Sequence, residues 1–206
     1  MSRPTFTSAA ERRARYLETA LALFIEHGYN GVSMDTIVSA AGGSKATIYR
    51  YFDSKETLFS AIVDDLQTRM AAIPQPEDMA ELPLAEGLRQ LGRATATAAL
   101  SDRAIVLLRL ASGEYNRFPE LAQTLFDLAP GRSYERFGAY LQAKQARGEV
   151  VVDDAQIAAE QFLAGIVGHL QLRMLLGVGN PTTAEIERRV DAAVKMFLRT
   201  YAPNEP

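Results

Sequence analysis

Residues 44–51 read Ser-Lys-Ala-Thr-Ile-Tyr-Arg-Tyr, which packs hydroxyls, two cations and two phenol rings into a short run. Ser44, Lys45, Thr47, Tyr49, Arg50 and Tyr51 are residue types that donate to phosphate oxygens and base edges. Ala46 and the methyl of Thr47 are small apolar surfaces of the kind that meet a thymine methyl. Lys55 stands at the start of a further capped segment, where its ammonium and the first N–H groups of a helix suit a phosphate oxygen. Catalysis finds few parts here. The chain has two histidines, His27 and His169, far apart in sequence, and no cysteine. There is no glycine-rich phosphate loop, and Asp64-Asp65 and Asp153-Asp154 read as helix-surface or capping residues. Neither an enzyme, a metal site nor a bound cofactor is expected.

A short helix must present these side chains, and the flanking residues supply its boundaries. Ser33 is placed to cap a helix running to about Ala41, with Val32 and Ile37 as an apolar staple across the cap. Gly42-Gly43 stops that helix, and Ser44 caps the next, Lys45 to about Tyr51. Helix, three-residue glycine-containing turn, helix is the anatomy of a helix-turn-helix, whose second helix enters the major groove. Two short capped helices also occur in proteins that never touch DNA, and exposed Lys, Arg and Tyr often only solvate a face. Period and turn alone leave both readings open.

The segment Gly28-Tyr29, Val32-Ser33, Ile37, Ala40-Ala41-Gly42, Ser44-Lys45, Thr47-Ile48-Tyr49, Tyr51-Phe52, Ser54-Lys55-Glu56 and Leu58-Phe59 resembles the TetR family of regulators over about 45 residues. Two positions depart from that family's pattern: Gly43, where Val is usual and where the turn should be looser, and Ala46, where Gly is common. The resemblance implies contact with double-stranded DNA at a palindromic operator. It implies that Ser33, Ser44, Tyr49, Tyr51 and Lys55 position phosphates, and that Lys45, Ala46, Thr47 and Arg50 face base edges. Phe52, apolar and at the helix end, is expected in the core of the three-helix head. Arg12, Arg13 and Arg15 either approach the DNA backbone or solvate a first turn.

Helical periodicity runs through nearly the whole chain, and no alternating stretch suggests a sheet. Leu17, Ala20, Leu21 and Phe24 form one buried face of a first helix ending near His27 and Gly28. After the head, Ser54 caps a long helix with Phe59, Ile62, Val63, Leu66 and Met70 along one face. Pro74 and Pro76 mark a joint. Further helices are expected at about 83–99, 102–114, 118–128, 131–147, 154–177 and 182–201, punctuated by Gly113, Pro119, Pro130-Gly131, Gly148 and Gly177–Pro181, with Thr182 and Glu185 at capping-box spacing. The fold class is all-α, about nine helices, with a DNA-binding domain over 1–55 and a helical ligand-binding and dimerisation domain over 56–206. Hydrophobic residues at 48% and charged residues at 23% are ordinary for a globular chain with a sizeable core. Net charge is −3, but residues 1–60 carry +1 and the remainder −4, which permits a basic head on an acidic body. The polar N-terminus lacks the apolar core of a signal peptide, and no run reaches membrane length. A cytoplasmic protein is expected.

Beyond the head, resemblance implies ligand sensing and dimerisation, and composition supplies candidates. A largely apolar small molecule would sit among Met70, Leu88, Leu107, Leu110, Tyr115, Phe118, Phe126, Phe137, Tyr140 and Phe162, any of which could equally be core. Arg109, inside the apolar run Ile105–Leu110, either anchors an anionic ligand or pairs with an acid such as Glu114. Leu163, Ile166, Val167, Leu170 and Met174 on one helix, with Ile186, Val190, Val194 and Phe197 on the last, suggest a four-helix homodimer interface. Gly165 and Gly168 would admit close approach, and His169 reads as a hydrogen-bonded core or interface residue. The expected function is a transcriptional repressor released by a ligand, with the helix from Ser54 transmitting the change. A helical interaction module without DNA binding and a transcriptional activator are the alternatives.

Overall fold

The structure, a computed structural model, describes residues 8–69, 79 and 81–203, and every described element is helical. Met70 and the joint at Pro74 and Pro76 lie outside the described residues. Helix α1 (Ala9–His27) starts at a reciprocal cap: the Ser8 hydroxyl accepts the Glu11 N–H at 3.1 Å, and the Glu11 carboxylate accepts the Ser8 N–H. Helices α2 (Met34–Ala41) and α3 (Lys45–Tyr49) are capped by Ser33 and Ser44, whose hydroxyls accept the N–H groups of Thr36 and Thr47. Helix α4 (Lys55–Arg69) follows, with the Ser54 hydroxyl accepting the Thr57 N–H at 3.2 Å. Helix α3 is shorter than the sequence suggests. Arg50 and Tyr51 lie in the turn after it, where their N–H groups bond three residues back to Thr47 and Ile48.

The remaining helices are α5 (Leu84–Ala99), α6 (Asp102–Glu114), α7 (Pro119–Phe126), α8 (Arg132–Ala146), α9 (Ala155–Leu175) and α10 (Thr183–Tyr201). The break expected at Pro130-Gly131 does not occur. A π-helical turn, Asp127–Gly131, carries α7 into α8 and holds Pro130 inside it. The wider turn accommodates a residue that has no N–H to give the ladder.

The chain forms two compact units, the first from residues 1–68 and 106–128, the second from 69–105 and 129–206. The first unit therefore runs past residue 55 and also takes in the second half of α6 and all of α7. Its core explains why. Leu17, Phe24, Ile37, Ile48, Phe59 and Ile62 are fully buried, as is Leu107 of α6. Each such side chain contributes about 1.5–3 kcal/mol by leaving water.

In the second unit α9 packs against α5, α8 and α10, and α5 also packs on α10. Phe137, Phe162 and Phe197 cluster with centroids 4.9 to 6.3 Å apart. Glycines let helices close on one another. A Cβ at Gly92 would lie 2.9 Å from Ile166, and one at Gly87 would overlap the Tyr140 hydroxyl. Lys144 is 1% exposed, and its ammonium donates to the Leu82 carbonyl at 2.7 Å and to both Glu149 oxygens. The box before α10 forms as its spacing suggests, and Arg173 holds Glu185 there through a bidentate pair.

Two stability tests follow from these ties. Glu149→Ala removes the carboxylate from a buried ammonium and is expected to cost about 3 kcal/mol in urea unfolding, whereas Lys144→Met should cost roughly half as much or less. The hydrogen bond from Arg173 lowers the Glu185 carboxyl from 4.5 to about 2. Its stabilisation is thus present above its ordinary value and lost as pH falls toward the lowered one. Between about pH 5 and about pH 2 the native chain should lose more stability than Arg173→Met does.

Candidate nucleic-acid interface

Helix α3 has one buried anchor and one open face. Ile48 is fully buried and Phe52, just beyond the helix, nearly so, as its expected core role requires. Ser44, Lys45, Ala46, Tyr49 and Arg50 are exposed, and Thr47 and Tyr51 are half-buried. Donors, one methyl and two cations therefore stand together on an open surface. The hydroxyls of Ser33, Ser44 and Thr47 are already partly committed: Ser33 to Thr36 at 2.8 Å and Ser44 to Thr47 at 2.7 Å. Lys45 is held by Asp35, with its Nζ 2.9 and 3.0 Å from the two carboxylate oxygens, and this raises its pKa. Asp35 draws that cation away from a phosphate and so competes with any anion.

The turn between α2 and α3 is fastened rather than loosened. Arg15 Nε donates to the Ala41 carbonyl at 2.9 Å, and the Tyr16 hydroxyl donates to the Gly42 carbonyl at 3.3 Å. Gly43 has φ +117°, and a Cβ there would overlap the Tyr16 hydroxyl. The glycine in place of Val lets that phenol reach the turn. Arg15 thus braces the turn between α2 and α3, and Arg13 lies 5.6 Å from the centre of the Phe52 ring.

Lys55, expected to position a phosphate, has two carbonyl partners within the head. Its ammonium donates to the carbonyls of Tyr29 at 2.9 Å and Val32 at 3.0 Å, and sits 4.2 Å over the Tyr29 ring. Burial lowers its pKa, against the opposing charges of Glu56 and Glu114. The side chain closes the loop between α1 and α2 and commits two of its three N–H groups inside the head. Tyr29, fully buried, packs at 5.0 Å on Phe24, 5.9 Å on Phe59 and 5.0 Å on Phe118. Its hydroxyl donates to Glu56 at 3.4 Å, and burial pushes its pKa up.

The proposed ligand residues are not brought together as one set. Leu107 is in the first unit's core, Phe118 is half-buried against Tyr29, Arg109 and Leu110 line a cavity beside α1, and Tyr115 and Phe126 are exposed. Phe137, Tyr140 and Phe162 cluster in the second unit, where Leu88 is also buried. The stripe proposed for dimerisation has a different place. Leu163, Ile166, Leu170, Met174, Val190, Val194 and Phe197 are buried inside the single chain, with Val167 and Ile186 packed at their edge. Their periodicity marks the seam with α5 and α8, not a surface. The outward side of α9 and α10 instead carries Gly165, Gly168, Leu172, Ala192 and Met196. His169 is exposed there too, so it is not a core histidine. Sequence reading missed the Ser8–Glu11 cap, which its spacing made visible. It also missed the ties from Arg15 and Tyr16, which span 26 residues and have no local signal.

Comparison with known proteins adds to this geometry. Residues 17–62 match the family described as bacterial regulatory proteins, tetR family, and residues 86–203 match the AefR-like transcriptional repressor, C-terminal domain. The chain is 29% identical over 201 residues to the HTH-type transcriptional repressor AcnR of Corynebacterium diphtheriae, covering 96% of this chain and 97% of that one. The solved structure of the flavonoid-responsive regulator FrrA superposes with a TM-score of 0.81 at 32% identity, over 96% of this chain and all of that one. A TetR transcriptional regulator from Agrobacterium tumefaciens superposes at 0.75 with 26% identity, over 94% of this chain and 95% of that one.

Two substitutions test the site. Gly43→Val, which forces a side chain into a positive φ and against Tyr16, should cost about 1–3 kcal/mol of stability and weaken DNA binding with it, read by urea unfolding and duplex titration. Asp35→Asn releases Lys45 and should tighten binding to any duplex roughly three- to tenfold at low salt, with a salt slope steeper by about one phosphate.

Proposed function

The chain belongs to the TetR family of bacterial DNA-binding transcriptional regulators, and we propose that it is a repressor, a homodimer on a palindromic operator that a small molecule releases. Members of this family are regulators and not enzymes. One observation carries the reading: Lys45, Ala46 and Tyr49 are exposed on a short helix, and Arg50 in the turn after it, with Ile48 locked into the core beneath. A helix so fixed can enter a major groove without reorganising, Arg50 and Lys45 facing acceptors on base edges, Ala46 and Thr47 facing methyl groups. Ser33, Ser44, Tyr49 and Tyr51 flank it as phosphate-positioning groups. The name of AcnR as a repressor supports repression here.

A two-fold operator requires a two-fold reader, with recognition helices about 34–36 Å apart. The outward side of α9 and α10 is the surface for it. Leu172, Leu176 and Met196 are large apolar residues 55% to 69% exposed, and no atom lies within 4 Å of where Gly165 and Gly168 would carry a Cβ. Two copies meeting there would bury this face as a four-helix contact. For release, the sensing part is the second unit's aromatic cluster. The Tyr140 hydroxyl is buried there without a hydrogen-bond partner among the described atoms, a polar anchor for an otherwise apolar ligand. That FrrA is named flavonoid-responsive supports small-molecule control. A ligand favouring another spacing of the heads lowers operator affinity by its own coupling factor. A reader of chromosomal DNA acts in the cytoplasm, and no described helix is long and apolar enough to cross a membrane.

Titration against the DNA upstream of its own gene, with random duplex as competitor, tests the reading. Two chains per site are expected, with affinity falling as salt rises, and Lys45→Ala/Arg50→Ala should reduce specific binding to the random-duplex level. Leu172→Arg should give a folded monomer in light scattering. Operator selection from random DNA that enriches no sequence would contradict specific reading.

A further inference from the structure

We propose that a cavity between the C-terminal end of α1 and the second half of α6 binds a small amphipathic organic anion, and that its occupancy loosens the loop supporting the reading head. The cavity measures about 610 Å³, within the roughly 300–1,000 Å³ of small-molecule sites. It lies wholly within the first compact unit, whereas Tyr140 and its aromatic neighbours belong to the second. Its lining is apolar at Phe24 and Ile25 of α1 and Val106 and Leu110 of α6. The lining is charged at Arg109, Glu114 and Arg117. Among the lining residues two are cations that stay charged at every relevant pH and one is an anion. A flat or branched hydrocarbon body bearing a carboxylate or sulfonate matches this lining, the body on the apolar residues and the acid group at the arginines.

The site also has a route to the head. Glu114 Oε1 accepts the Asn30 N–H at 3.4 Å and lies 2.9 Å from where Gly28 would carry a Cβ. Gly28 and Asn30 flank Tyr29, whose carbonyl holds the Lys55 ammonium. An anion at the arginines repels Glu114 and weakens its hold on Asn30. Only the regulatory consequence, weaker operator binding, rests on the repressor reading.

The test uses 8-anilinonaphthalene-1-sulfonate, fused rings with one sulfonate, titrated by fluorescence into the full-length protein without DNA. Wild type, Arg109→Gln/Arg117→Gln, Ile25→Trp and Tyr140→Phe are compared, each checked for an unchanged far-ultraviolet melt. The proposal expects one saturable site per chain, weakened roughly tenfold or more by the arginine pair and likewise by Ile25→Trp, but not by Tyr140→Phe. Hydrogen exchange at the Asn30 amide should accelerate about threefold or more with the probe bound. Probe affinity indifferent to both cavity variants overturns the site, and unchanged Asn30 exchange overturns the coupling. Because no DNA is present, failure of operator binding leaves these outcomes intact, and their failure leaves the operator reading intact.

Discussion

The Lys55 ammonium sits between the carbonyls of Tyr29 and Val32 and the face of the Tyr29 ring, and the geometry of the reading head follows from that contact. It joins the first turn of α4 to the loop after α1. The same loop leads into Ser33 and hence into α2, so the start of the helix-turn-helix is set by a cation one helix further on. Tyr29 extends the tie by packing on Phe24 of α1, Phe59 of α4 and Phe118 at the start of α7. A cation over an aromatic face that also donates to carbonyls is worth more than a surface ion pair, because little water competes for it.

The head is thus assembled by long-range ties behind the surface it presents. Arg15 and Tyr16 fix the turn from α1, Ile48 and Phe52 fix α3 from below, and Lys55 fixes the entry loop. None of these side chains needs to touch DNA for DNA binding to depend on it. The exposed face is freer, its Lys45 restrained by a solvent-exposed carboxylate. Rigid support beneath a polar surface is the arrangement that lets a helix bind without losing much entropy on contact.

The parts of this design that were legible in the sequence were local. Serine caps at 33, 44, 54 and the Thr182–Glu185 box obey spacings of a few residues and recur in the structure. The apolar stripe of α1 is buried as its period implies. What periodicity could not say is which partner buries a stripe. Leu163, Ile166 and Leu170 repeat as an interface would, yet they form the seam with α5 and α8, because α9 is apolar on more than one side. Lys55 has the same difficulty in miniature: a cation at a helix start suits a phosphate, and only tertiary structure brings two carbonyls to it first. Pro130 reads as a break, and a π turn absorbs it.

Replacing Lys55 by Met, then titrating a specific duplex over a range of salt while following unfolding in urea, tests this account most directly. With its ammonium committed inside the head, loss of Lys55 should lower stability and specific affinity together and leave the salt slope unchanged. A slope shallower by about one phosphate at unaltered stability would place the ammonium on the DNA backbone instead, and contradict the account.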